Sequence, residues 1–157
     1  MKISILLPYK ENFTPNYAGA GSLFLNDTIK LSKYKKNIQV YGNTSFKKKL
    51  LSNYTNLNFS KIVFRSNSKV YVKKFLDIEK LKKSNLIEIH IRPDYISSIY
   101  KINNNIVLYF HNNPLEMKSS KSVKERIDIF KIYFLVLSSC VNNNFFLICV
   151  LVSLQLI

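Results

Sequence analysis

Both histidines of the chain stand in short polar stretches, His90-Ile91-Arg92-Pro93-Asp94-Tyr95 and His111-Asn112-Asn113-Pro114-Leu115. An imidazole can take or give a proton near neutrality. The planar guanidinium of Arg92 suits a bidentate grip on phosphate oxygens. The amides of Asn112 and Asn113 offer both donors and acceptors to hydroxyls. A pocket rimmed by these groups would take a hydroxyl-rich, phosphorylated ligand. Each stretch also has a plain structural reading. Pro93 followed by Asp94 is good chemistry for starting a helix, and Asn-Asn-Pro is ordinary turn sequence.

Gly19-Ala20-Gly21 is the third candidate, at the opening of an expected helix. Two glycines there would let a phosphate or a sugar approach backbone amides where the helix dipole favours anions. The bland alternative is a glycine turn. The dinucleotide fingerprint is not met. Phe24 stands where its third glycine belongs, and Tyr41 stands about 20 residues on where an acidic residue should hold a ribose. Hydride transfer is therefore disfavoured.

These stretches need elements to position them, and the hydropathy pattern supplies an alternating series. Strands are expected at 2–7, 38–41, 61–64, 86–90 and 106–110, with helices at 22–34, 46–53, 69–83, 94–102 and 122–131. Strand-helix alternation predicts an α/β domain: an open, parallel, Rossmann-like sheet with helices on both faces, because parallel strands need crossovers. In such a sheet ligands bind beyond the carboxyl ends of the strands. Residues 8–21, Gly42-Asn43, His90 to Asp94 and His111 to Pro114 all fall there. Both imidazoles are then expected side by side on one rim.

The 157 residues carry 24 Lys and Arg against 9 Asp and Glu, a net charge of +15, with 47% apolar residues and three glycines. That is one domain's length, too apolar for a disordered chain and too poor in Gly and Cys for collagen-like or disulfide-framed classes. Only Arg65, Arg92 and Arg126 among the cations are arginine, and the lysines are spread over several helices with no base-reading motif. Nucleic acid is therefore not an expected partner. No signal peptide is legible at residues 1–8, so a cytoplasmic location is expected.

The domain proper is expected at 1–131, since 132–157 is an uncharged, apolar tail holding both Cys140 and Cys149. Three readings of that tail stay open. It is a last strand and helix of the domain, a strained membrane span interrupted by Asn142-Asn143-Asn144, or a non-native end produced by a slipped reading frame.

The His90 to Tyr95 stretch, the following strand and His111-Asn112-Asn113-Pro114-Leu115, leading to Ser122-Val123-Lys124-Glu125-Arg126, resemble the amino-terminal half of bacterial family-four glycosyltransferases. That group has His-Asn-Arg-Pro-Glu-Tyr, then His-Asn-Asp-Pro-Leu running into Ser-Val-x-Glu-Arg. Residues 1 to about 131 fit, including the Gly19 loop. Ile91 replaces the pattern's Asn, Asp94 its Glu, and Asn113 its Asp.

The resemblance implies one half of a two-domain GT-B sugar transferase working on lipopolysaccharide, capsule or a similar surface glycan. It implies the acceptor-holding half, retaining chemistry and no metal or bound cofactor, the nucleotide-sugar donor being a substrate held by a second half. By similarity His111 would lie near the transferred sugar as the catalytic candidate. Gly19, Ala20 and Gly21 would face donor phosphates or acceptor, while His90, Arg92, Asn112 and Asn113 would line the acceptor side. The donor half is not in these residues, so the chain reads as truncated and catalysis by it alone is not expected. The competing reading is a non-catalytic basic module that docks on anionic membrane, and peripheral attachment to the inner membrane face suits both readings.

Overall fold

The structure, a computed structural model, describes residues 1–60, 66–103, 105–111, 122–124, 127 and, for the backbone, 148–151. Strands β1 (Ile3–Leu6), β2 (Ile38–Gly42), β3 (Tyr54–Asn56), β4 (Leu86–His90), β5 (Ile106–Phe110) and β6 (Ile148–Leu151) form one sheet in the order β3-β2-β1-β4-β5-β6. Every pairing in it is parallel. The expected α/β class and parallel sheet are thus present. The order reverses direction between β1 and β4, so the two halves of the sheet wind away from each other at that seam. Such a reversal opens a crevice at the carboxyl ends of the two strands.

Helices pack on both faces because the strands alternate. Ile3, Ile5 and Leu7 point to one face and pack with Ile38 and Val40 against Leu25 and Ile29 of α1 (Ala20–Leu31). Leu6, Ile87, Ile89, Ile106, Leu108 and Phe110 point to the other. They pack against Tyr71, Val72 and Phe75 of α2 (Asn67–Lys82), and against Ile96 and Ile99 of the short α3 (Ile96–Ile99). Strands buried on both faces are near-continuous apolar runs, and Ile106-Val107-Leu108 is one.

The amino-terminal edge of the sheet is tied down by Glu79 of α2, a buried carboxylate that accepts the Ser4 hydroxyl, the Ser84 hydroxyl and the Ser84 backbone N–H. A cavity of about 710 Å³ lies at this edge. Two of its lining amides are already paired, Asn103 donating to the Ser84 carbonyl and Asn105 to that of Asn85.

Several expected elements differ. Residues 46–53 are not a helix. Leu50 N–H turns to the Phe13 carbonyl at 3.4 Å, Phe46 stacks on Tyr17 at 5.2 Å, and Leu50 and Leu51 pack under β1 and β2, so the segment spends its contacts on the first loop. The strand after β2 is Tyr54–Asn56, three residues long, and Lys61 to Phe64 lie outside the described residues. The helix expected at 94–102 is a 3₁₀ turn, Pro93–Tyr95, followed by the single turn of α3. The expected helix at 122–131 falls largely outside the described residues, as do most of the 132–157 tail and both Asn112 and Asn113. Four tail residues, Ile148–Leu151, pair with β5. Among the described residues no helix is long and apolar enough to cross a membrane.

Candidate functional site

His90 is the last residue of β4, and His111 follows directly on β5. Because β4 and β5 are adjacent and parallel, with His90 opposite Tyr109, the two imidazoles emerge together. His90 Nδ1 and His111 Nε2 are 2.9 Å apart, with the rings stacked at 5.1 Å. Tyr109 stacks on the other face of the His90 ring at 4.9 Å, and Phe24 of α1 meets the His111 ring edge-on at 5.2 Å. Phe24, the residue that breaks the dinucleotide fingerprint, therefore clamps the histidine pair.

Glu88 lies two residues before His90 on the same face of β4. Its Oε2 is 3.7 Å from His90 Nε2, too long for a hydrogen bond but close enough to favour a proton on that nitrogen. His90 Nε2 is buried without a hydrogen-bond partner among the described residues, so Glu88 is the charge it feels. With the proton on Nε2, His90 Nδ1 is an acceptor, and His111 must donate from Nε2. His111 then presents Nδ1 as a bare acceptor. Burial, and secondarily the neighbouring His90, push the His111 pKa down to about 4, so the ring is neutral at physiological pH. Burial, followed by Glu88, raises the Tyr109 phenol.

The backbone between the two sequence landmarks is strained. Ile91 has φ 59°, a left-handed conformation that a β-branched residue seldom adopts. It is held there by its N–H donating to the Tyr109 carbonyl at 2.8 Å, which bends the chain off the sheet and turns Arg92 away from the strand. Arg92 is half-buried, and its Nε has no hydrogen-bond partner among the described residues.

Gly19 is the N-cap of α1, and Ala20 and Gly21 open its first turn, two residues earlier than periodicity predicts. None of the chain's glycines has positive φ, so no turn conformation demands them. What Gly21 leaves is room. A Cβ there would stand 3.8 Å from Ile91 Cδ1 and 3.9 Å from His111 Nε2, so the helix opening, Ile91 and His111 border one space. Sequence reasoning missed Glu11, which reaches over from the first loop and accepts the Ser22 hydroxyl at 2.8 Å. A Cβ at Gly19 would stand 2.8 Å from Glu11 Oε1. The carboxylate thus takes the anion-favouring position at a helix whose first turn has no acidic residue of its own. A phosphate at Gly19 would have to displace it, whereas a sugar hydroxyl could donate to it.

The structure accordingly brings together Gly21, His90, Ile91 and His111, places Gly19 and Ala20 beside Glu11, and sets Arg92 one residue beyond the strained Ile91. Glu88, Tyr109 and Phe24 are additions that only strand pairing and helix packing reveal. No group of three or more His, Cys, Asp or Glu among the described residues gathers to hold a metal. Comparison with family models, curated proteins and solved structures found no match.

Proposed function

We propose that this chain is the acceptor-side half of a sugar transferase of the GT-B type, acting on a lipid-linked or surface glycan. The observation that supports the reading best is the histidine pair, 2.9 Å apart at the carboxyl rim of a parallel sheet, next to the β1–β4 reversal and the glycine-opened helix. A neutral imidazole with a bare Nδ1, a carboxylate at Glu11 and the open floor at Gly21 form an acceptor-rich, lightly charged cradle. Hydroxyls are donors of the matching kind. His111 would touch the sugar, His90 and Glu88 would fix its tautomer, and Arg92 would answer the charge that develops on a departing diphosphate. The nucleotide-sugar itself needs a donor-binding half, so turnover is expected only where such a half faces this rim.

A basic module on anionic membrane is the second reading. It is favoured by the outer face of α2, where Lys73, Lys74, Lys80 and Lys82 are exposed around Leu81, itself 87% exposed. Changing His111 and Arg92 together to Ala separates the two. Saturable saccharide binding that perturbs the histidine rim in the parent chain, and is weakened in that variant, supports the transferase half. Salt-sensitive binding to anionic vesicles that persists in it, with no saccharide bound by the parent chain, supports the membrane module instead.

A further inference from the structure

A second hollow, about 440 Å³, opens on the same rim at the ends of β1 and β2. It falls within the roughly 300–1,000 Å³ of small-molecule sites. Its walls are Tyr9 and Lys10 from the first loop, Asn12 beyond them, Asn43, Thr44 and Ser45 after β2, and Phe59. We propose that it is a pyranose-binding subsite, in which the rings of Tyr9 and Phe59 take the apolar face of a sugar and the amides and hydroxyls of Asn12, Asn43 and Ser45 take its hydroxyls.

The rings supply the platform. Tyr9 and Phe59 lie 5.8 Å apart and inclined by 32°, and Tyr9 is backed by Tyr71 at 5.6 Å. An aromatic face carries negative charge density that attracts sugar C–H groups, and dispersion over many atoms adds to it. The platform is set before any ligand arrives. Tyr9 N–H donates to the Tyr95 hydroxyl at 3.2 Å, and Asn43 Nδ2 is held by the Leu57 carbonyl at 2.8 Å. Thr44 N–H is held by Asn56 Oδ1 at 2.9 Å. Prior ordering of this kind lowers the entropic cost of binding.

The polar rim is less committed than its base. The side chains of Asn12 and Ser45 are exposed and make no hydrogen bond to the described residues. Lys10 is held at φ 66°, a second left-handed non-glycine residue on this rim. Its ammonium sits 5.7 Å over the Tyr9 ring. Strain of this sort persists where the surroundings fix it, and Asn12, two residues on, lines the hollow. Lys10 is the one charged side chain among the described lining residues, and the rest of the wall is neutral, as hydroxyl recognition requires. The subsite rests on its own residues and stands whether or not the histidine rim supports transfer.

The test is saturation-transfer and chemical-shift NMR on the full chain with methyl glycosides of glucose, galactose and mannose, and uridine as the competing planar ligand. Expected is saturable, millimolar binding of at least one glycoside with transfer from Tyr9 and Phe59. That affinity should fall about three- to tenfold in Asn12→Ala and in Phe59→Leu, the loss expected for one hydrogen bond or one packing face. It should be unchanged in Leu31→Ala, an exposed side chain that does not line the hollow. Asn12 is exposed, so its variant reports binding even where Phe59→Leu disturbs folding. The proposal is overturned if none of the three glycosides binds, if binding is unchanged in Asn12→Ala and in a folded Phe59→Leu, or if uridine binds more tightly than every glycoside.

Discussion

His90 Nδ1 and His111 Nε2 meet at 2.9 Å although 21 residues separate them in sequence. The contact exists because β4 and β5 are parallel neighbours whose registers place His90 opposite Tyr109, leaving His111 one step past the ladder's end on the same face. One hydrogen bond joins the two rings along this line. Its direction is set by the Glu88 carboxylate on the far side of His90.

Replacing Glu88 by Ala should therefore change the histidines before it changes anything else. With the carboxylate gone, His90 loses its preference for a proton on Nε2, and His111 Nδ1 is no longer held as the unprotonated nitrogen. Imidazole ¹⁵N shifts should move from a single tautomer toward a mixture. Thermal stability should fall by no more than about 1 kcal/mol, since the interaction is partly solvated and longer than a hydrogen bond. Unchanged ¹⁵N shifts would remove Glu88 from the relay.

Gly21 separates packing from binding. Gly21→Ala adds a methyl at ordinary contact distance from Ile91 and His111. Fewer unfolded conformations and a better helix former should raise stability by a few tenths to about 1 kcal/mol. The same methyl narrows the space between helix and imidazole, so saccharide affinity should drop several-fold. A calorimetric melt and a binding titration on one preparation check both signs.

Ile91 should be improvable. Its φ of 59° costs a β-branched residue roughly 1–2 kcal/mol, and Asn bears that conformation more easily. Ile91→Asn should raise stability by about 1 kcal/mol, less the loss of its half-buried side chain, while leaving the His90–His111 contact in place. Chemical denaturation checks the first expectation and imidazole shifts the second.

His111 also makes a prediction for acid. Its pKa is lowered from 6.5 to about 4, so the unfolded chain binds this proton before the folded chain does. The stability linked to the neutral ring is complete above pH 6.5 and is lost as pH falls from there through about 4. Its half-exposed position makes the effect smaller than the full shift would give. In His111→Phe this part of the acid slope should vanish, as read from denaturation midpoints at a series of pH values.

How much of this was legible in the residues depends on what each signal rests on. Strands β4 and β5 are written almost to the residue, because Leu86 to His90 and Ile106 to Phe110 are short apolar runs bounded by polar ones. The shared rim of the two histidines follows from parallel alternation alone. Residues 46–53 misled because amphipathic spacing does not reveal that Leu50 and Phe46 bind the first loop rather than their own turn. The three residues of β3 carry too little pattern to announce a strand. Glu11 was invisible because a loop brings it to α1 and leaves no spacing in sequence, whereas Glu88 stands two residues before His90, a spacing that sets both on one face of a strand but does not by itself show the 3.7 Å approach of the carboxylate. Of the two readings that Gly19 and Gly21 allowed in sequence, a close approach at the helix opening or a turn, the turn has no positive φ behind it.

The account turns on whether the bare nitrogen of His111 receives a sugar hydroxyl. Long-range ¹H–¹⁵N spectra of the imidazoles, recorded while a surface-glycan oligosaccharide is titrated into the full chain, test that directly. The account predicts a saturable shift of His111 Nδ1 with His90 Nε2 still protonated, abolished in Gly21→Val. Saccharide that binds without moving His111 Nδ1, or no saccharide binding where anionic vesicles still bind, would contradict it.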